Sequence, residues 1–417
     1  MNLVIKNADI IGKDGIWDVL IEDGKIKSIS EDEDGDEVLD AKDKYLSPGF
    51  VNTHTHAAMS LLRGYADDMP LQKWLQEEIW PIEDRLDEDY VYWGTKLACL
   101  EMIKTGTVAF SDMYFYMEST AKAVADIGMK AVLSYGMIDL GDEEKRKSEI
   151  EKTEDFLKSM CKYDKIEAAL GPHAVYTASR ELLEWCANKS ADNDILVNLH
   201  LAETEQELKD FKENHDMTLT DYLSEVGLLN ERLIAAHSVW LEEEDYKPLG
   251  VNGVTVSHNP TSNMKLGVGK PMDYQKLIDN EVRVTLGTDG CASNNSLDML
   301  EEVKTAAIQQ KMPGCPTCLP AEEAYRMITK HGAETLRTGG GIIEEGRAAD
   351  IILIEKSVRS VPGHNPISDL IYSLNGSDVT DVIIDGEIVM QNRHVEGEEE
   401  IMKTAKSKAV ELVSERR

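Results

Sequence analysis

Two histidines one residue apart, in Pro48-Gly49-Phe50-Val51-Asn52-Thr53-His54-Thr55-His56, close an extended apolar run. Residues at i and i+2 of a strand share a face, so both imidazoles can reach one ion. Neutral imidazole is the commonest metal ligand, and two of them on rigid backbone make half of a tetrahedral site. Alone, such a pair is a weak signal, open to the bland reading of two polar residues at a strand end. Its weight comes from the ends of the later apolar runs, which carry Asp112, His173, His200, His237, His258 and Asp289. Of the ten histidines in the chain, six fall at such ends, which scaffold alone does not explain.

The most economical metal set is His54, His56, His200 and Asp289. Three imidazoles and a carboxylate suit Zn²⁺, or Fe²⁺ in a similar shell, and an ion of this type lowers the pKa of water from 15.7 to roughly 7. No lysine ends the fourth run, Ala169-Leu170-Gly171-Pro172-His173, so a bridging carbamylated lysine is not expected and one divalent metal per subunit is. Glu203, three residues beyond His200, sits where the loop can fold back over the ion and shuttle a proton, provided burial raises its pKa. Its bland alternative is an acid capping the next helix, a place Glu205 or Glu207 could also fill. His237 is a further acid/base candidate, whereas His258-Asn259-Pro260 reads as a supporting anchor.

These residues need a frame that brings strand ends together. Strands are expected at Leu46–His56, Val108–Met113, Ala131–Ile138, Ile166–His173, Leu196–Leu201, Leu233–His237, Val254–His258 and Val282–Thr288, with helical stretches between them. Eight strands alternating with helices predict an α/β fold, a closed (β/α)8 barrel of the TIM type, whose chemistry lies at the C-terminal strand ends. The flanks alternate in strand fashion, with hairpin turns at Asp23-Gly24 and Asp385-Gly386. Neither flank can bury both faces of a small sheet alone, so the two are expected to form one β-sandwich beside the barrel. The division is then 1–48 for the first part of that β domain, 49–340 for the barrel, and 341–417 for its second part plus a charged surface helix from about Glu398.

Composition narrows the partners. The formal charge is −34, from 78 acidic and 44 basic residues, a field that repels nucleic acid and anionic membranes. No apolar run reaches the roughly 18 residues of a membrane span. The N-terminus is strand-like rather than a signal peptide, and six scattered cysteines fit a reducing cytoplasm. Cys315-Pro316-Thr317-Cys318 is an isolated CxxC, read as structural.

Together these residues resemble the amidohydrolase superfamily, and within it the branch of methylthioadenosine/S-adenosylhomocysteine and 5′-deoxyadenosine deaminases. The resemblance covers essentially the whole chain. It rests on the His54-Thr55-His56 segment, Leu61-Leu62-Arg63-Gly64, Pro81-Ile82-Glu83-Asp84-Arg85, Asp112-Met113-Tyr114, Gly171-Pro172-His173, His200-Leu201-Ala202-Glu203-Thr204, Ser257-His258-Asn259-Pro260 and Gly287-Thr288-Asp289-Gly290-Cys291-Ala292-Ser293-Asn294-Asn295. It implies that Glu83 binds ribose hydroxyls and His173 the adenine or ribose side, that Glu203 protonates the ring nitrogen, and that His237 and Asp289 handle the attacking water. Trp74, in Leu71-Gln72-Lys73-Trp74-Leu75, resembles an aromatic closing over the nucleoside, and reads equally as the apolar face of a short lid helix.

The implied reaction is hydrolysis of the 6-amino group to the inosine analogue and ammonia, by a homotetramer. Relatives that prefer S-adenosylhomocysteine carry an arginine after the third strand. Tyr135 stands here instead, and the basic Lys145-Arg146-Lys147 is preceded by Asp142, Glu143 and Glu144. A phenol cannot replace the guanidinium fork, so compact 5′ groups are expected: 5′-deoxyadenosine first, then methylthioadenosine and adenosine, with S-adenosylhomocysteine poorer. The alternatives are a deaminase of guanine, cytosine or a triazine, and a non-catalytic dihydropyrimidinase-like scaffold.

Overall fold

In a computed structural model, which describes residues 2–69 and 73–414, each of the eight apolar runs contributes one parallel strand. They are Phe50–Thr55, Thr107–Tyr114, Lys130–Met137, Ile166–Pro172, Val197–Leu201, Leu233–His237, Thr255–His258 and Arg283–Leu286, and chain neighbours are sheet neighbours. All eight residues of the second strand are buried, as expected where the outer face is covered by helices and the inner face by the other strands. Helices follow the strand-end loops at defined points. Asp87, Asp142, Ser179 and Thr204 each accept backbone N–H groups as N-caps, worth about 1 kcal/mol apiece.

The last strand is stitched to the first. Asp289 N–H donates to the His54 carbonyl at 3.0 Å. Asn52 Nδ2 donates to Thr288 Oγ1 at 2.7 Å and Thr288 N–H returns to Asn52 Oδ1 at 3.0 Å. Small polar residues also bond across the barrel interior between strands that are not neighbours. Thr53 Oγ1 lies 2.7 Å from Ser257 Oγ on the seventh strand, and Asn198 Nδ2 donates to Ser111 Oγ and Ser134 Oγ at 3.0 and 3.1 Å. Satisfied buried polar networks of this kind specify one arrangement, because a shifted register would leave each member unpaired.

One expected strand is in fact two. Leu46–His56 divides at Gly49: Lys44–Pro48 pairs antiparallel with Ile351–Glu355 in a second sheet, and only Phe50–Thr55 enters the barrel. Gly49 is required at the crossing, since a Cβ there would lie 2.2 Å from Val108 Cγ1. The run stays extended and apolar throughout, so its pattern carries no mark of the change of sheet.

The second sheet interleaves both ends of the chain, in the order Glu387–Met390, Val379–Ile384, Ile351–Glu355, Lys44–Pro48, Leu3–Ile10, Trp17–Glu22, Lys25–Ser30, with Glu37–Asp40 also on Leu3–Ile10. Both hairpins turn on Asp-Gly pairs with positive φ at each residue, 49° and 74° at Asp23-Gly24 and 48° and 75° at Asp385-Gly386, the twist that two-residue hairpins favour. Strands from the two termini share an apolar core that includes Ile5, Ile21, Leu46, Ile351 and Ile383. The terminal helix Glu398–Ser414 buries Ile401, Ala405 and Leu412, and ion pairs Lys104–Glu398 and Asp89–Lys408 tie it to the helix Glu88–Lys104. Among the described residues, no helix is long and apolar enough to cross a membrane. Cys315 and Cys318 form a disulfide in the loop before Ala321–Ile328, while Cys99, Cys161, Cys186 and Cys291 are free thiols.

Candidate active site

The strand ends converge on three imidazoles. Ring nitrogens of His54, His56 and His200 all lie within 4.8 Å of one another, although His56 and His200 are 144 positions apart. Each of the latter two has its Nδ1 against a carbonyl: His56 on Met113 at 2.6 Å and His200 on His173 at 2.7 Å. A carbonyl only accepts, so both Nδ1 atoms carry the proton and both Nε2 atoms present lone pairs. Those two lone pairs face each other at 3.4 Å, and the buried Nε2 of His54 has no hydrogen-bond partner among the described residues. Such an arrangement is repulsive unless positive charge, a proton on one ring or a metal ion between them, faces the lone pairs.

Asp289 completes the cluster. Its Oδ1 is 3.3 Å from His56 Nε2 and 3.8 Å from His54 Nε2, and its Oδ2 accepts from Ser262 Oγ at 2.6 Å. Burial works against the charged carboxylate, but the hydrogen bond and charge of His56 hold Asp289 well below the usual range. Burial likewise opposes protonation of His56, yet Asp289 lifts it to about 9, so that without a metal ion its Nε2 holds a proton against Asp289, a place where a divalent ion would displace that proton and take up the lone pair. His54 and His200 are pushed well below the ordinary histidine value, by burial first and then by neighbouring imidazoles, which leaves them neutral and ready to ligate. The donor set therefore fits a divalent ion, with His54, His56, His200 and Asp289 in reach of it.

The backbone is bent sharply here. Ala202, His237, Ser238 and Asp289 have φ of 50°, 70°, 50° and 64°, a left-handed conformation that costs a non-glycine residue about 1–2 kcal/mol. Strain of this kind persists where surrounding structure over-determines it, and it clusters at functional sites.

A cavity of about 1400 Å³ opens above the cluster, and Trp74, Glu83, Tyr135, His173, Glu203 and His237 line it with His56, His200 and Asp289. His54 lies beneath, buried. Burial raises the Glu203 carboxyl, and the helix cap its position could have served is supplied by Thr204, whose Oγ1 accepts Glu207 N–H at 3.1 Å. His173 is held to about 4 by burial, and its Nδ1 meets Thr177 Oγ1 at 2.9 Å. His237 Nδ1 lies 2.9 Å from Asn263 Oδ1, an acceptor that leaves Nε2 as the lone-pair nitrogen. Glu83 accepts from Tyr114 at 2.7 Å, and its carboxyl is raised by burial against that hydrogen bond.

Trp74 opens a short π-helical turn, Trp74–Ile79, closed by Trp80 N–H on the Leu75 carbonyl, and it is buried there on the cavity wall. Leu71 and Gln72 lie outside the described residues. Asp112 is drawn into scaffolding: its Oδ1 accepts Thr55 Oγ1 and Ala57 N–H, both at 2.7 Å, and so braces the chain around His56. His258 is fully enclosed and does not reach the cavity.

The surroundings of Tyr135 differ from expectation. Its hydroxyl donates to Glu149 at 3.3 Å, and Lys152, 2.9 Å from the same carboxylate, stands 5.9 Å from the ring. A fixed cation therefore does line this end of the cavity, but it is compensated. Lys145, Arg146 and Lys147 are not part of the lining; Arg146 pairs with Asp139 and Lys147 with Glu143. The signal for Lys152 lay in the helix Glu143–Met160, whose inward face carries Glu149, Thr153, Phe156 and Met160 at helical spacing.

A parallel barrel whose strand ends gather three imidazoles and a carboxylate under a deep cavity defines a metal-dependent hydrolase. The sequence profile of the Amidohydrolase family matches residues 45–389, and the chain belongs to that family. It is 50% identical over 385 residues to a 5′-deoxyadenosine deaminase of Methanospirillum hungatei, covering 91% of this chain and 86% of that one. It is 46% identical over 400 residues to a 5-methylthioadenosine/S-adenosylhomocysteine deaminase of Thermococcus sibiricus, covering 94% of each. The fold matches that of an adenosine deaminase from Xanthomonas campestris with bound zinc, at a TM-score of 0.93 and 31% identity over 99% of this chain and 98% of that one.

Proposed function

We propose that the protein is a zinc-dependent deaminase of adenine nucleosides bearing a compact 5′ group, 5′-deoxyadenosine foremost. The observation that carries this reading is that one cavity joins a buried, raised Glu203 beside the histidine cluster to a second carboxylate, Glu83, oriented by Tyr114. A free base has no use for Glu83, whereas a ribose diol offers it two donors. A divalent ion held by His54, His56, His200 and Asp289 supplies Lewis acidity, enough to bring the pKa of water to about 7. The names of the relatives, and the zinc in the Xanthomonas enzyme, support the same assignment. We extend the proposal to a cytoplasmic homotetramer, which light scattering on the purified protein tests.

In this mechanism Trp74 covers the nucleoside, neutral His173 hydrogen-bonds its base or ribose side, and Glu83 fixes the sugar. Water adds to C6 of adenine. His237 and Asp289 orient it and draw off a proton, and Glu203 delivers a proton to N1. As the C6–N bond breaks, the hydroxyl on C6 gives up its proton through Glu203 and the amino group takes one up, so that ammonia leaves and the 6-oxo product remains. Glu203 suits the role because burial raises its carboxyl above the usual carboxylate range, which favours the protonated form that a proton donor needs.

Ammonia release across 5′-deoxyadenosine, methylthioadenosine, adenosine, S-adenosylhomocysteine and guanine tests the assignment. The expected order of kcat/KM follows that sequence, since the carboxylate of S-adenosylhomocysteine must compete with Glu149 for Lys152. Turnover of guanine alone would overturn the nucleoside reading, and S-adenosylhomocysteine ranking first would overturn the order. Glu83→Gln is expected to lower kcat/KM for ribosides by about 10-fold or more while leaving free bases unaffected, because only the sugar contact is lost. Equal loss on both would remove Glu83 from ribose recognition.

A further inference from the structure

Glu207 belongs to no ligand set and does not line the cavity, yet it is buried with both carboxylate oxygens engaged. Oε1 accepts the N–H of Ala202 at 3.0 Å and Oε2 accepts the N–H of Glu203 at 2.8 Å. These two amides follow directly on the fifth strand, Val197–Leu201, where the chain leaves its ladder. The opposite side of the same peptide is also held: the Ala202 carbonyl accepts Val239 N–H at 3.0 Å and Trp240 N–H at 2.8 Å. Between these grips Ala202 keeps its left-handed φ of 50°, which turns the chain so that Glu203 faces the cavity rather than running outward into the helix Glu205–Asn214. Burial pushes the Glu207 carboxyl up to about 7 against those hydrogen bonds, so enclosing it is costly, and the two amides are what compensate it.

From this geometry we infer that Glu207 is a positioning residue for the deamination. Its forked carboxylate clamps two consecutive amides and thereby sets where the Glu203 side chain stands over the substrate. The inference rests on the proposed role of Glu203 as proton carrier and adds the element that aims it. A carboxylate is needed because only an acceptor pair satisfies two adjacent N–H groups. In Glu207→Gln one arm of the fork becomes an NH₂ that faces a donor, with the volume unchanged.

The test is a double-mutant cycle in the full-length metal-loaded protein. Glu207→Gln is expected to lower kcat per bound metal by about 10-fold and Glu207→Ala by about 10²-fold, the cost of a misplaced catalytic group. KM should stay within about 3-fold and metal content at the wild-type level, because the sugar and ring contacts other than Glu203 and the ligands are unchanged. In a Glu203→Gln background, Glu207→Gln should cost nothing further, since a residue acting only through Glu203 has nothing left to aim. An additive loss in the double variant, or a loss of metal with Glu207→Gln, would reduce Glu207 to a general structural role. Glu207→Gln with full turnover would overturn the inference outright. If Glu203→Gln itself leaves kcat intact, it is the proposed mechanism that fails, and the two failures are thereby distinguished.

Discussion

His200→Ala is expected to release the metal and with it the turnover. His200 is the cluster's only contribution from the fifth strand, and its Nε2 faces that of His56 at 3.4 Å while its Nδ1 is locked on the His173 carbonyl. The alanine variant leaves His54, His56 and Asp289, two of them from the same short segment, so one side of the coordination sphere opens to solvent. Loss of an outer-shell partner alone weakens a metal site by roughly 10–100-fold, and loss of an inner ligand should exceed about 10²-fold. Elemental analysis after dialysis is expected to fall from near one ion per chain to a small fraction, with ammonia release falling in parallel and partly returning at high added zinc. Wild-type turnover in a metal-depleted His200→Ala protein would rule out a metal-dependent reaction.

Glu203→Gln should separate chemistry from binding. The substitution keeps shape and hydrogen-bonding reach but removes the group that gains and loses the proton. With metal retained at the wild-type level, kcat is expected to fall by about 10²-fold or more. KM should change little, because the amide still lines the same wall of the cavity. Metal loss in this variant would mean that Glu203 is a ligand rather than a proton carrier. The structure argues against a purely local role, since the helix cap next to it is Thr204.

Much of this protein is written in short-range pattern. The eight strand runs and the Asp-Gly hairpins follow from period, residue type and turn chemistry within windows of a few residues, whereas the cap of the helix after Glu203 is Thr204 and not one of the acids the sequence suggested. The chemical identity of the cluster was likewise legible, because imidazoles at strand ends are rare as scaffold and a barrel gathers strand ends at one mouth. The terminal sheet was legible only as a need: two half-sheets with unburied faces must cover each other, but nothing local dictates that Lys44–Pro48 inserts between Leu3–Ile10 and Ile351–Glu355.

Tertiary structure alone decided the rest. The division of one apolar run at Gly49 depends on Val108, far along the chain, lying against it. Lys152 reaches the Tyr135 end of the cavity because the helix Glu143–Met160 folds back over its own strand, and Glu149 then cancels its charge. Asn263 and Ser262, from the helix Pro260–Lys265, hold His237 and Asp289 without any motif to announce them. The physical reason is common to all three. Sequence pattern reports which face a residue prefers, through the period of its own element, whereas a contact between elements is set by closure of the barrel. Closure is a collective outcome of burial and hydrogen-bond satisfaction that no window of neighbouring residues contains.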